Sequence, residues 1–307
     1  MSSAPTTLEV DPGPRPRLGM RDWWRIAVRV IGKVQQHNCG LLAGGIAMYG
    51  LLSVFPGLAA AVLIYGLFAT PAGVARHMSV FAGILPPGVW DIFNAQLQKV
   101  AAHDHGALTI GAAIALGLAL WSARLTMSAL MTATTIAYEV PERRGFIVQI
   151  LISLVLTLGA IVGFLTMLLI GVAVPVALVV LGTDLWVRMV VAVLRWGVLW
   201  VFAVLGLALL YHFAPARRAG RWRCLSCGSV LTATLWLAAS GLFALYVRMF
   251  ASYDRTYGAL SGVVVLLMWF YLLSFSVILG AEMNAAISAR LAERNRLRIA
   301  SALHHGH

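Results

Sequence analysis

The sequence predicts an all-α membrane protein, a polytopic bundle of about six transmembrane helices with additional interfacial amphipathic helices. Of its 307 residues, 61% are hydrophobic and 11% are charged, and the mean hydropathy is +0.87. Soluble domains average about 45–50% apolar and about 25% charged residues. Uncharged stretches recur along the chain, and about 20 apolar residues are enough for one helix across the hydrocarbon core. This composition excludes an ordinary soluble enzyme and leaves little chain for a domain outside the membrane.

The predicted spans lie between the charged residues that interrupt the apolar sequence. They are 40–69, 107–133, 146–172, 186–213, 225–248 and 258–282. In the first span, Pro56 and Gly57 follow Ser53 and predict a kink or a break of the helix. In the third span we expect the helix to end near residue 170, before an irregular or tilted tail around Pro175.

Basic residues are distributed unequally between the connections, and this predicts the orientation. Sixteen Lys and Arg lie on the side of the two termini and five on the other side. Because basic loops stay in the cytoplasm, we expect both termini to be cytoplasmic. Residues 20–290 then form the membrane domain, between a disordered cytoplasmic tail at 1–19 and a basic cytoplasmic tail at 291–307.

Two amphipathic segments lie outside the predicted spans. Around residues 20–34, Trp23, Val30 and Ile31 belong to an apolar face, whereas Arg25 and Arg29 lie on another face. This pattern predicts a helix in the plane of the cytoplasmic membrane surface. The second segment, 89–100, predicts an amphipathic cap on the outer side.

A polar stripe in the second span indicates a cavity. Arg124, Ser128 and Thr132 recur at four-residue spacing, and a charge within a span costs about 2.5–3.5 kcal/mol on insertion scales. Glu282 and Asn284 close the last span on the same side of the membrane. We expect Arg124 to pair with Glu282, or both to line a cavity open to the cytoplasm. A purely structural ion pair, or an Arg124 side chain that snorkels to the headgroups, remains an alternative.

Further arginines favour contacts with lipid. Arg195 lies in the outer third of its span, where it either anchors the helix at the interface or meets a phosphate headgroup. Four more arginines stand beside the bilayer: Arg217, Arg218, Arg221 and Arg223. This cluster either fixes the topology or binds anionic lipid, at about 1 kcal/mol per charge.

Metal and catalytic motifs are weak. Cys224 and Cys227 form a single pair, and His103 and His105 lack the further spaced ligands of a zinc site. No phosphate loop, nucleophile triad or paired-acid site stands out among the eleven acidic residues. We therefore expect no metal, no cofactor, no catalytic residue and no nucleic-acid partner.

Small residues at four-residue spacing predict close helix packing. The three pairs are Gly40 with Gly44, Gly159 with Gly163, and Gly258 with Gly262. Such pairs let helix backbones approach each other. They fit packing within one chain as well as a homo-oligomer, and both remain open.

Three short motifs carry a resemblance to a known family. They are Ser53-x-Phe55-Pro56, Tyr257-Gly258 at the start of the last span, and Gly280-Ala281-Glu282-x-Asn284 at its end. With these motifs, residues 20–290 resemble the YihY/BrkB family of bacterial inner-membrane proteins. The resemblance implies six transmembrane helices with both termini inside. Members were once labelled ribonuclease BN, a tRNA-processing nuclease, and others are linked to moving lipid or lipopolysaccharide precursors across the inner membrane.

Three functions are compatible with these features. We favour a transporter-like protein that moves a lipid or other amphiphile across or within the bilayer without nucleotide hydrolysis, with anionic lipids as partners. The alternative is a membrane scaffold without transport of its own. A membrane-bound tRNA-processing ribonuclease is disfavoured, because a metal nuclease needs clustered carboxylates or histidines.

Overall fold

The protein is helical throughout the part that the structure describes. The computed structural model describes residues 19–68, 105–180, 184–216, 226–249 and 259–305. These ranges contain seven helices: α1 Met20–Gln36, α2 Cys39–Phe68, α3 His105–Ala137, α4 Phe146–Val180, α5 Leu185–Phe213, α6 Cys227–Met249 and α7 Ala259–His305. The predicted all-α class is confirmed.

Five of these helices are long and apolar enough to cross a membrane. Within the described residues the candidate spans are Cys39–Ala61, Ile110–Ala137, Phe146–Gly171, Met189–Phe213 and Gly262–Leu297. The remaining predicted span, 225–248, corresponds to α6, whose apolar stretch Cys227–Phe243 is shorter. The fold is therefore that of a polytopic helical membrane protein.

Helix α7 is the centre of the bundle, and it packs against α1, α2, α3 and α6. The buried apolar residues concentrate where α7 meets its neighbours. Ile278 packs with Cys39 and Ala133 of α2 and α3, whereas Val277 packs with Tyr211 and with other residues of α5 and α6. The core thus lies at the end of the bundle that holds the C-terminus of α3 and the N-terminus of α2.

The expected break at Pro56 and the expected irregular tail at Pro175 are wrong, whereas the kink and the tilt stay predictions. Helix α2 runs uninterrupted through Pro56, and α4 continues past Pro175 to Val180. A proline has no N–H, so it leaves the carbonyl four residues earlier without a helical donor. In α4 that carbonyl belongs to Gly171, and Arg195 of α5 donates to it from Nη1 at 3.0 Å. Membrane helices tolerate proline where a neighbouring helix supplies such a donor.

Helix α1 has two apolar faces where the sequence predicted one. Ile26 and Val30 are buried against Ala286 and Ile287 of α7. A second apolar strip is exposed and consists of Met20, Trp24, Val28 and Ile31. The predicted amphipathic helix is present, but part of its apolar surface packs against α7, and its position in the plane of the membrane surface stays a prediction.

An acidic residue completes the attachment of α1. The carboxylate of Asp22 is buried and binds Arg290 at 3.1 Å and Arg294 at 3.2 Å. The hydrogen bond from the Gly19 backbone N–H and the two arginines hold the pKa of Asp22 below its ordinary value.

The closest helix crossing involves a glycine pair outside the three predicted pairs. A Cβ on Gly228 of α6 would overlap the Gly280 carbonyl oxygen, and a Cβ on Gly280 would lie 2.8 Å from the Gly228 carbonyl oxygen. In contrast, the space around Gly44, Gly159 and Gly262 is open within 4 Å. The close approach is between α6 and α7, within one chain.

Candidate functional site

A buried arginine lies deep in the bundle, at the contact between α3 and α4. Arg124 is 8% exposed, and its Nη1 donates to Ser153 Oγ at 3.4 Å. The guanidinium carbon lies 4.4 Å from the centroid of the Trp121 ring. The Nε atom is buried and has no hydrogen-bond partner. From Ala137, where α3 ends, Arg124 is 13 residues back, which is about 20 Å along the helix.

The expected pair of Arg124 and Glu282 is not formed. Glu282 binds His37 Nδ1 at 2.6 Å and Cys39 Sγ at 3.8 Å. Its carboxylate lies beside the C-terminal end of α3, where Ala137 and Glu139 line the same small cavity. Arg124 lies about four turns deeper, and none of the salt bridges among the described residues includes it. The two charges belong to two separate sites.

The polar stripe of α3 only partly faces inward. Thr132 is exposed, and its hydroxyl donates to the Ser128 carbonyl of its own helix at 3.1 Å. The polar neighbour of Arg124 comes instead from α4, where Ser153 and, four residues later, Thr157 are buried and bonded to their own helix backbone. The spacing of these two hydroxyls in a mostly apolar span was a signal of the site that the sequence prediction did not use.

The second site is a chain of charged groups at the end of the bundle. His37 links two carboxylates, with Nδ1 toward Glu282 and Nε2 at 3.6 Å from Glu139. Glu282 is 2% exposed, whereas Glu139 is on the surface and forms a salt bridge with Lys33. A cavity of about 70 Å³ with Arg29 and Lys33 in its wall reaches both carboxylates. Of this group, only Glu282 was predicted from the sequence.

The backbone at this second site is locally strained. Asn38 and Glu139 are the only non-glycine residues with a positive φ in the described ranges, at 50° and 53°. Asparagine tolerates this left-handed conformation, but glutamate adopts it rarely, and such strain persists only where surrounding contacts hold it. The hydrogen bond and charge of Lys33, with smaller contributions from His37 and Arg29, lower the pKa of Glu139.

Asn284 and Arg195 have structural partners. Asn284 accepts from the Gly228 N–H at 2.9 Å and donates to Ser226 Oγ at 3.1 Å, so it joins α6 to α7 and does not face the expected cavity. Arg195 binds the carbonyl of Gly171 and does not serve simply as an interfacial anchor. Near it, Trp196, other aromatic residues and aliphatic side chains of α4, α5 and α6 line an apolar cavity of about 430 Å³.

Several predicted features lie outside the described residues. They are the 89–100 segment, His103, Cys224, Tyr257, Gly258 and the arginines Arg217, Arg218, Arg221 and Arg223. Cys227 is described, and it is exposed at the start of α6. Within the described ranges, no three His, Cys, Asp or Glu side chains are grouped so that they could hold a metal ion.

Comparison with protein families is decisive. The family model described as "Virulence factor BrkB" matches residues 30–304, nearly the whole chain. The chain belongs to the BrkB family. The recognition from the three motifs is therefore confirmed.

Relatives of this BrkB-family chain match over most of their length. It is 32% identical to a putative ribonuclease-like protein, YfkH, of Bacillus subtilis (strain 168), over 80% of this chain and 88% of that protein. It is 28% identical to a UPF0761 membrane protein of Cronobacter sakazakii, over 83% of this chain and 86% of the relative. A UPF0761 membrane protein of Pseudoalteromonas translucida is 26% identical over 87% of this chain and 86% of the relative. No solved structure matches the chain.

The motif that closes the last span of this BrkB-family protein is a set of interhelical contacts. Gly280 allows α6 to approach, Glu282 binds His37, and Asn284 binds the backbone of Gly228. In the first motif, Ser53 Oγ donates to the Gly50 carbonyl at 2.7 Å and Phe55 is exposed. The motif residues that the structure describes thus act mainly in packing.

Proposed function

We propose that this BrkB-family protein moves an amphiphile with an anionic headgroup, most simply a phospholipid or a lipid precursor, across or within the bacterial inner membrane. The protein does this without nucleotide hydrolysis, with both termini in the cytoplasm, and it is not an enzyme. The single observation that supports this function is the buried Arg124, whose charge has no carboxylate partner among the described residues.

An unpaired guanidinium deep in a membrane protein requires a partner. Burial of a charge is expensive unless it is paired and hydrogen-bonded. Ser153 supplies one long hydrogen bond, and Trp121 supplies the face of its ring. Neither contact neutralises the charge, and Nε keeps a free donor.

The geometry of the site fits a phosphate. A guanidinium presents N–H groups in a planar fork that matches phosphate oxygens, and charge-assisted hydrogen bonds are about twice as strong as neutral ones. Trp121 is 55% exposed. In a membrane, such an exposed face of a spanning helix contacts lipid. We therefore place the entry of the headgroup beside Trp121, whose ring lies next to the guanidinium of Arg124.

The apolar cavity between α4, α5 and α6 supports an amphiphile as the substrate. Its volume of about 430 Å³ falls in the range of ligand pockets, about 300–1,000 Å³, and its wall is almost entirely hydrocarbon and indole. A hydrocarbon chain has the right chemistry for this cavity. A polar solute such as a nucleotide or a sugar would leave its hydrogen-bonding groups unsatisfied there.

Lipid movement in proteoliposomes tests the proposal. The full-length protein is reconstituted, and the transfer of labelled phosphatidylglycerol between leaflets is compared with that of labelled phosphatidylcholine. We expect the protein to accelerate transfer of the anionic lipid. Arg124→Gln reduces the acceleration by about 10- to 100-fold, because a hydrogen bond to a charged group is worth about 1.5–3 kcal/mol.

Two further variants make the test specific. Arg143→Gln removes an exposed arginine outside the spans and leaves the rate unchanged. Arg124→Lys retains the charge but loses the planar fork, so it gives an intermediate rate. Wild-type vesicles that transfer no lipid faster than empty vesicles would overturn the proposal and favour the scaffold. Equal transfer rates for wild type and a folded Arg124→Gln protein would show that Arg124 has no role in lipid transfer.

A further inference from the structure

The charged chain at the end of the bundle has the geometry of a proton path. His37 lies between a surface carboxylate and a buried one, and its two ring nitrogens face different partners. Imidazole can accept a proton at one nitrogen while it releases one from the other. The cavity of about 70 Å³ gives water a route to both carboxylates, Glu139 and Glu282.

Glu282 stands out among the acidic residues of the described ranges. It lies in the central helix α7, it is 2% exposed, and neither contact of its carboxylate is with Lys or Arg. A structural ion pair in this position would be expected to use an arginine, as Asp22 does with Arg290. The partners of Glu282 are instead His37 and Cys39, which can both exchange protons.

We propose that Glu282 is the binding site for a coupling proton, loaded through His37 from the surface at Glu139, and that this proton drives the movement of the anionic amphiphile. The coupling of the proton to lipid movement rests on the proposed function, whereas the proton site at Glu282 does not. The proposal names the proton as the coupling ion, which the site around Arg124 does not determine.

The loading step conserves charge and protons. A hydronium ion at the surface beside Glu139 gives its proton to Nε2 of His37 and becomes water. The imidazole passes its Nδ1 proton to Oε1 of Glu282, so the ring changes tautomer and stays neutral. Glu282 becomes a carboxylic acid that donates back to Nδ1 across the same 2.6 Å hydrogen bond. The added proton neutralises the negative charge of Glu282, and His37 stays neutral.

The groups that face Glu282 and His37 come from every helix packed around them. They are Arg29 and Lys33 of α1, Cys39 of α2, and Tyr138 and Glu139 after α3. Lys33 forms a salt bridge with Glu139, whereas the carboxylate of Glu282 contacts His37 and Cys39, with Arg29 in the same cavity wall. A protonated carboxyl group is a weaker acceptor for Cys39 Sγ, so proton loading weakens the contact of the start of α2 with α7. Helix α3 carries Arg124, and Glu139 follows two residues after its end, so one helix connects the two sites.

Infrared difference spectroscopy tests proton loading independently of lipid movement. The full-length protein in lipid is titrated with acid, and the carboxylic-acid carbonyl band of a buried acid is followed. We expect this band to rise as the pH falls and to be lost in Glu282→Gln. Glu142→Gln, an exposed acid in the connection after α3, retains it. His37→Gln shifts the pH at which the band appears. A titration without any such band, or a band that persists in Glu282→Gln, overturns the inference.

The coupling is tested in the same proteoliposomes with and without an imposed pH difference. The readout is the ratio of the two lipid-transfer rates, which exceeds one for wild type and for Glu142→Gln and falls to one for Glu282→Gln. If Glu282→Gln is not recovered as a folded protein, His37→Gln is measured instead, and its ratio should depend on pH with the same shift as its infrared band; a ratio with the pH dependence of wild type would contradict the coupling. Lipid transfer with a ratio of one in wild type refutes the coupling and leaves the proposed function intact. If the protein transfers no lipid, the proposed function is refuted. The infrared titration then tests the proton site at Glu282 without reference to lipid transfer.

Discussion

Replacement of Gly280 by alanine tests the packing of α6 against α7. The added Cβ would lie 2.8 Å from the Gly228 carbonyl oxygen and would overlap the hydroxyl groups of Thr232 and Tyr211. The first of these is helix backbone, which cannot rotate away. The two helices must therefore separate, and the hydrogen bond of 2.7 Å between Tyr211 and Thr232 is lost or weakened.

The cost follows from these contacts. Overpacking costs about 1–3 kcal/mol, and the lost hydrogen bond about 1 kcal/mol. Alanine recovers about 1 kcal/mol through its higher helix propensity. The net loss is about 2 kcal/mol, which is about 30-fold in the ratio of folded to unfolded protein. The control is Gly262→Ala in the same helix, where the space is open, and it is stabilising by up to about 1 kcal/mol.

Reversible unfolding in mixed micelles, followed by circular dichroism, measures both free energies of unfolding. We expect Gly280→Ala to lie about 3 kcal/mol below Gly262→Ala, since the two changes differ only in the surroundings of the new methyl group. Equal stability of the two variants would show that α6 and α7 do not cross at this glycine.

Two further predictions concern arginine contacts. Arg195→Leu destabilises the protein by about 1 kcal/mol because it leaves the Gly171 carbonyl without a donor, whereas in a Pro175→Ala background, which restores the helical N–H, the same change costs less. A double-mutant cycle of unfolding free energies measures this difference, and strict additivity would contradict the assignment. The attachment of α1 through Asp22 is present at neutral pH and is lost as the pH falls through its lowered pKa, below the ordinary 3.8. The mobility of a spin label introduced by Val28→Cys reports the release, and Asp22→Asn should be mobile at every pH.

The fold class and the spans could be predicted because lipid acts on every residue locally. A helix in a bilayer has to be apolar over about 20 residues whatever its neighbours are, so the spacing of charges reveals it. The same logic fails at Pro175, because a donor from another helix compensates for the missing N–H. Nothing in the sequence around Pro175 reveals that Arg195 supplies this donor to Gly171.

The sites were predicted in part for a similar reason. A charge inside a span is visible in the sequence, so Arg124, Arg195 and Glu282 were all selected. Their partners depend on how the helices are rotated and how deep each residue lies. Arg124 and Glu282 lie on the same side of the membrane in the predicted topology, yet about four helical turns separate their levels.

The spacing of charges was enough to predict that this chain crosses the membrane repeatedly, because the penalty for charge in hydrocarbon acts on each segment separately, and three short motifs were enough to place it with the BrkB proteins. The sequence revealed Arg124 and Glu282 as charges within spans, but it did not reveal the buried Asp22. The folded bundle alone decides which groups meet. It joined Glu282 to His37, left Arg124 without a carboxylate among the described residues, and placed Gly228 against Gly280. Such contacts arise between residues far apart in the chain, and they follow from helix rotation and depth, which no local pattern encodes.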